Sequence, residues 1–338
     1  MNKNSDHKLL SKRLLGAKKL SPEILEWITS ENLWNIWVPK SHGGLELTLT
    51  EGLHKLKELA QIDGSLGWTV TLCSGANYFI GNLKRETAQR IFIDTHQKPI
   101  LGGSGGLFGV AEKTGDKYKL SGTWKYATGG PYLTHVTLNA KITKDGKELV
   151  NEDGGPVFKS FVIPKAGVNL IDDWNTIGMQ ASRTCSFSID DLMVEEADSF
   201  QYDQFNLPNP IFKVNFRVFA DLTLWVNYIG MATHFKEEVL KIDKDLDIKS
   251  LKDTIAKAIQ NSDAFAETIE EQIELGKDLS ADFIKQVHET AAASVRSLSQ
   301  AIIEMYPHLG INAARENNII NQIFRDYFTA TQHRNFTG

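Results

Sequence analysis

The sequence predicts a multidomain α+β protein of 338 residues in which helices come first, strands follow, and helices return. Two changes of periodicity and one absence carry that prediction. Apolar residues recur at helical spacing to about residue 97, then alternate with a period near two to about 198. From about 208 the helical period returns. No helical stretch interrupts the middle hundred residues, which argues against a doubly wound parallel sheet. The expected divisions are residues 1–97, 98–207 and 208–338.

The first division reads as helices joined by short loops. Ser21-Pro22 sets a capping hydroxyl before a proline at the first helical position, with Ile24, Leu25 and Ile28 following at helical spacing. Thr48-Leu49-Thr50-Glu51 fits a capping box, and Leu53, Leu56 and Leu59 line one face after it. Proline and paired glycines make Trp37–Gly44 a loop.

In the middle division, Tyr118–Gly122, Thr123–Ala127, Thr134–Ile142, Phe158–Pro164 and Cys185–Val194 are short strand candidates. Gly, Pro and Asp-rich turns separate them, so an antiparallel sheet pair or a small barrel is expected. Asn206–Pro210 reads as the linker out of it. Beyond it, Ile255, Ile259, Phe265, Ile269 and Ile273 form one stripe. Phe283, Val287, Ala291, Val295, Leu298 and Ile302 form another, as in an antiparallel helical bundle. The charge-rich segment 236–253 reads as a solvated turn of helix.

Composition narrows the function. Net charge is -5, with 37 basic residues scattered along the chain. Nucleic-acid binding depends on a gathered basic face, so that class is excluded. Only Cys73 and Cys185 are present, too far apart for a metal-ligand spacing, and two buried thiols in a reducing cytoplasm are expected. The N-terminus has no apolar core long enough for a signal peptide. No run approaches the roughly 18 apolar residues of a membrane span. The densest stretch, Val218–Met231, is broken by Asp221 and Asn227. A cytoplasmic protein is expected.

Four motifs bear on chemistry. Gly102–Gly106 resembles a phosphate loop, but strand-like residues follow it, so it reads as a flexible turn entering the β division. The nine histidines are dispersed and predict no metal site. Trp124-Lys125-Tyr126-Ala127-Thr128-Gly129-Gly130 alternates two aromatics along a strand and ends in a hydroxyl beside two glycines. That pattern suits close approach of a planar ligand. Near the C-terminus, Arg325, Thr329 and His333 recur at i, i+4 and i+8, which would place them on one face of a helix.

Together these pieces resemble the acyl-CoA dehydrogenase superfamily over nearly the whole chain. The matches are Val38-Pro39 to Gly43-Gly44, Asp63-Gly64-Ser65, Gly122 to Gly129, Trp174 with Gly178-Met179, Ser182 and Thr184, and Arg325-Asp326. The resemblance implies an N-terminal helical domain, a middle β-barrel domain and a C-terminal four-helix bundle, assembled as a homotetramer. It also implies a flavin, FAD or FMN, held by Tyr126, Ala127, Thr128, Gly129, Trp174, Ser182 and Thr184.

The departures point to one branch. A dehydrogenase needs a carboxylate to remove the α-proton. The family position, eight residues before Arg325, is Asn317, with Glu316 next to it; the alternative position falls near Phe216. Gly109–Lys113 replaces the family's Thr-Glu-Pro flavin loop, and Phe235–Val239 replaces its Arg-x-x-Phe-Gly segment. Gly310, Arg325, Asp326, Thr329, Ala330 and His333 instead keep the spacing of the two-component flavin monooxygenases. That resemblance implies reduced flavin from a separate reductase, a small organic substrate, Thr128 at flavin N5 and His333 beside the reacting groups. Asn77 stands where those enzymes often carry a further histidine. Three readings therefore stand: a monooxygenase-like oxidoreductase, an acyl-CoA dehydrogenase with Glu316 as base, and a non-catalytic flavin-binding protein.

Overall fold

The computed structural model describes residues 3–336. Five helices precede the strands: α1 (Lys3–Leu14), α2 (Pro22–Ser30), α3 (Leu49–Ile62), α4 (Gly64–Asn77) and α5 (Arg85–Phe92). The capping expectations hold. The Ser21 hydroxyl accepts from the Ile24 amide at 3.4 Å, and Thr48 and Glu51 cap each other reciprocally. Asp63 caps α4 through the Leu66 amide at 2.9 Å.

Helix α4 is the centre of the molecule, with every residue buried except Leu72 and Gly75. Small residues let its neighbours approach closely. A Cβ on Gly67 would lie 2.4 Å from the Ala60 Cα of α3, and one on Gly64 would lie 2.8 Å from the Asp326 Cβ. Such a helix, apolar or small all round, shows no stripe, because it has no solvent face.

Eight strands follow: β1 (Leu101–Thr114), β2 (Lys117–Ala127), β3 (His135–Lys144), β4 (Lys147–Glu148), β5 (Phe158–Pro164), β6 (Asn169–Ile171), β7 (Cys185–Glu195) and β8 (Ser199–Phe200). They form one sheet in the order β6-β7-β2-β1-β3-β5-β8, with β4 on β3. Two expectations are corrected here. The sheet is mixed, because β3 runs parallel to β1. Its path also stays open between the short strands β6 and β8 among the described residues, so no barrel closure is seen.

The glycine run is corrected as well. Gly102–Gly106 lies inside β1, where glycine is needed for packing: a Cβ on Gly103 would sit 1.7 Å from the Thr137 carbonyl oxygen. Gly109, farther along β1, makes room for Trp124. That indole crosses over Gly109, stacks on Phe187 at 5.4 Å and donates to the Asn139 carbonyl oxygen at 2.8 Å. Truncating so buried an aromatic costs roughly 3–5 kcal/mol.

Helices α6 (Phe216–Ile242), α7 (Lys249–Glu274), α8 (Ala281–Met305) and α9 (Ile319–Ala330) complete the chain. The predicted stripes are buried, with Ile255, Ile269 and Ile273 on α7 and Val287, Ala291, Leu298 and Ile302 on α8. Cys73 and Cys185 are free and buried. Among the described residues no helix is long and apolar enough to cross a membrane.

Candidate functional site

The sheet topology creates the site. After Ala127 the chain leaves β2, crosses beneath the start of β1 and enters β3 at His135, the register partner of Leu101. Gly102 permits the crossing, since a Cβ there would lie 2.7 Å from Leu133 and 3.2 Å from the Thr128 carbonyl oxygen. The crossing turn, Thr128-Gly129-Gly130, is thereby pressed against α4. Cys73 Sγ lies 3.8 Å from the Thr128 carbonyl oxygen, and Thr69 and Cys73 bound Gly129. Gly129 adopts φ +74, which glycine tolerates without strain.

Opposite this turn runs the 174–184 segment. The Gly129 amide donates to the Ser182 carbonyl oxygen at 2.9 Å. Three buried hydroxyls line up between the two segments, with Thr128 Oγ1 3.2 Å from Thr184 Oγ1 and Thr184 Oγ1 2.9 Å from Ser182 Oγ. Ser182 Oγ donates onward to the Met179 carbonyl oxygen at 2.7 Å. Trp174 Nε1 donates to that same carbonyl at 2.9 Å.

Backbone strain concentrates here. Tyr126, Met179 and Arg183 are non-glycine residues held at φ +68, +54 and +47. Each such conformation costs on the order of 1–3 kcal/mol and persists only where the surroundings enforce it. At Tyr126 the consequence is visible: its ring stands outward and is 68% exposed.

His333 approaches from the other side of α4. Its ring meets Trp68 edge-on at 5.6 Å, and Trp68 in turn meets Tyr228 at 6.2 Å. His333 keeps solvent-accessible surface, yet burial lowers its pKa. The ring is thus packed on one side and open to solvent on the other. The Asn335 amide donates to His333 Nδ1 at 3.3 Å, which places the proton of the neutral ring on Nε2. One expectation changes: α9 ends at Ala330, so His333 lies in the turn beyond it rather than on a helical face with Arg325 and Thr329.

The remaining candidates separate. Glu316 and Asn317 are exposed in the turn before α9, and Glu316 meets Arg325 only through its backbone carbonyl, at 3.4 Å. Phe216 opens α6 and stacks on Tyr202 at 4.8 Å. Asn77 is structural: it donates to Asn35 and to the Pro99 carbonyl and accepts from the Leu101 amide, docking β1 on α4. Trp68 and Cys73 are site neighbours that the sequence did not mark, because an all-buried helix offers no periodic signal. Two cavities, about 670 and 720 Å³, open elsewhere, around His135 and Lys165 and around Phe216 and Lys277. Neither is lined by Thr128 or His333.

No protein-family model matches the sequence. Two curated relatives are indole-3-acetate monooxygenases. The Pseudomonas putida protein is 24% identical over 66% of this chain and 55% of its own length. The Acinetobacter baumannii protein is 23% identical over 93% of this chain and 83% of its own length. Among solved structures, XiaF from Streptomyces sp. in complex with FADH2 and glycerol superposes with a TM-score of 0.84 at 19% identity, covering 98% of this chain and 92% of that one. The chain shares the fold of this solved structure over nearly its whole length. Its curated relatives are monooxygenases, several of them named flavin-dependent, as the sequence resemblance implied.

The residues of this site fit a flavin. Tyr126 offers an uncovered aromatic face at a strained turn, and Thr128, one residue past Ala127, ends a chain of buried hydroxyls. A planar, hydrogen-bonding heterocycle is what such a pairing accommodates.

Proposed function

We propose that the chain is the oxygenase component of a two-component flavin monooxygenase. It would take reduced flavin from a separate reductase and oxidise a small organic substrate. The observation that carries this reading is the buried Thr128–Thr184–Ser182 hydroxyl chain, whose turn meets Thr69 of α4 through Gly129, while His333 packs on Trp68, the preceding residue of α4. One side supplies a hydroxyl chain for a flavin ring, and the other a neutral imidazole with its proton on Nε2.

Reduced flavin, when bound, supplies two electrons and activates oxygen. The chain's own residues would do the rest. Tyr126 would offer its exposed ring to the flavin, and Trp174 fixes the loop that carries Ser182 and Thr184. His333 Nε2–H would be placed to donate a hydrogen bond to a bound oxygen species or substrate. Glu316 lies exposed in the turn before α9. We further propose a cytoplasmic homotetramer with the three divisions given above.

Rapid mixing of oxygen with protein holding anaerobically reduced flavin tests the reading. A transient absorbing species that outlives the one seen with free flavin supports an oxygen-activating pocket. Immediate return to oxidised flavin, at the free rate, overturns it.

A further inference from the structure

The direction of every hydroxyl bond between Thr128 and Met179 follows from the far end. A carbonyl oxygen only accepts, so at 2.7 Å Ser182 must spend its one proton on the Met179 carbonyl. Ser182 then has only lone pairs for Thr184, 2.9 Å away, so Thr184 donates to Ser182. Thr184's proton is thereby committed, and Thr128, at 3.2 Å, must donate to Thr184. All three hydroxyls are buried, so water does not scramble the order. Thr128 Oγ1 is left with lone pairs only.

We propose that this polarised chain makes Thr128 an obligate acceptor, with Ser182 and Thr184 as positioning residues that set the redox state of the flavin the site prefers. The inference rests on the flavin reading above. An acceptor matches a ring N–H, which reduced flavin carries at N5. It meets the bare N5 of oxidised flavin lone pair to lone pair, and an unpaired buried polar contact is penalised. The preference for reduced flavin thus originates three residues away, at the Met179 carbonyl. That carbonyl is itself held by Trp174 Nε1 and by the strained φ of Met179.

The test is anaerobic titration of the flavin-free protein with FMN and with FAD, each oxidised and dithionite-reduced, in the parent, Ser182→Ala, Thr184→Val and Thr128→Ser. The parent should favour the reduced form. Ser182→Ala frees Thr184 and Thr128 to point either way, so the ratio of the two dissociation constants should collapse about tenfold. For a two-electron couple that equals a fall of about 30 mV in bound midpoint potential. Thr184→Val should do the same from the middle of the chain. Thr128→Ser keeps the acceptor and should keep the ratio. An unchanged ratio in Ser182→Ala and Thr184→Val, with flavin still bound, overturns the relay and leaves the oxygenase reading standing. Failure of the folded parent to bind flavin in either state overturns both.

Discussion

The Asp326 carboxylate accepts the Met179 amide at 2.6 Å, tying α9 directly to the loop that carries the hydroxyl chain. The contact is close because Gly178 lacks a side chain; a Cβ there would sit 2.2 Å from the Arg325 carbonyl oxygen. Asp326 is buried beside a second buried carboxylate, Asp63, which caps α4 and accepts from Gln322 Nε2 at 2.8 Å. Burial, reinforced for Asp326 by the Asp63 charge, raises both pKa values.

A carboxyl group with a raised folded pKa holds its proton in the native state after the unfolded chain has lost it. Its stabilising contribution is present at low pH and is lost as pH rises through the folded value. Asp326→Asn keeps an acceptor for Met179 and removes the repulsion with Asp63. The variant should be more stable than the parent by roughly 1–3 kcal/mol at pH 8, with the gap closing toward pH 4. Urea denaturation at the two pH values measures it; a destabilised variant at pH 8 would contradict the argument.

His135 acts in the opposite pH range. Burial, helped by the Arg90 guanidinium, pushes its pKa down to about 4. An unfolded histidine titrates near 6.5, so between the two values only the unfolded chain takes up the proton. Stability is complete above pH 6.5 and falls as pH drops toward about 4, by at most about 3 kcal/mol from this residue. His135→Gln should flatten the slope of denaturation midpoint against pH over that interval. An unaltered slope would show that other groups set it.

Local signals were legible in the sequence, and long-range ones were not. The caps at Ser21 and Thr48 and the stripe through Ile269 depend on residues within two turns of one another, so spacing reveals them. The glycines of β1 look like a turn because glycine is poor in strands. At Gly103 the reason is a neighbour at Thr137, 34 positions on. The hydroxyls of Thr128, Ser182 and Thr184 could be marked by resemblance, but their proton order depends on the Met179 carbonyl, which no side-chain pattern encodes. The helical phase from Arg325 to His333 failed because α9 stops at Ala330 without a glycine or proline to announce it.

Tyr126 offers a trade between stability and binding. Its exposed ring contributes little to the core, while its φ of +68 is a conformation glycine adopts freely. Tyr126→Gly should therefore stabilise the fold by about 1 kcal/mol. Loss of the aromatic face should weaken flavin binding about tenfold. Thermal denaturation and flavin titration of the same preparation read both effects. A variant that binds flavin as tightly as the parent would remove Tyr126 from the cofactor site.

His333 and Trp68 should be separable by pH. Burial lowers the His333 pKa, so the neutral ring survives below the usual 6.5 and the acid limb of kcat/KM should fall below that value. His333→Ala should reduce product formation at least tenfold while leaving denaturation little changed, because the residue lies in an exposed turn. Trp68 acts only through the crowding it imposes at 5.6 Å. Trp68→Leu should therefore move the acid limb upward toward 6.5, with a smaller loss of activity. An acid limb that stays in place in Trp68→Leu would mean that other groups desolvate the imidazole.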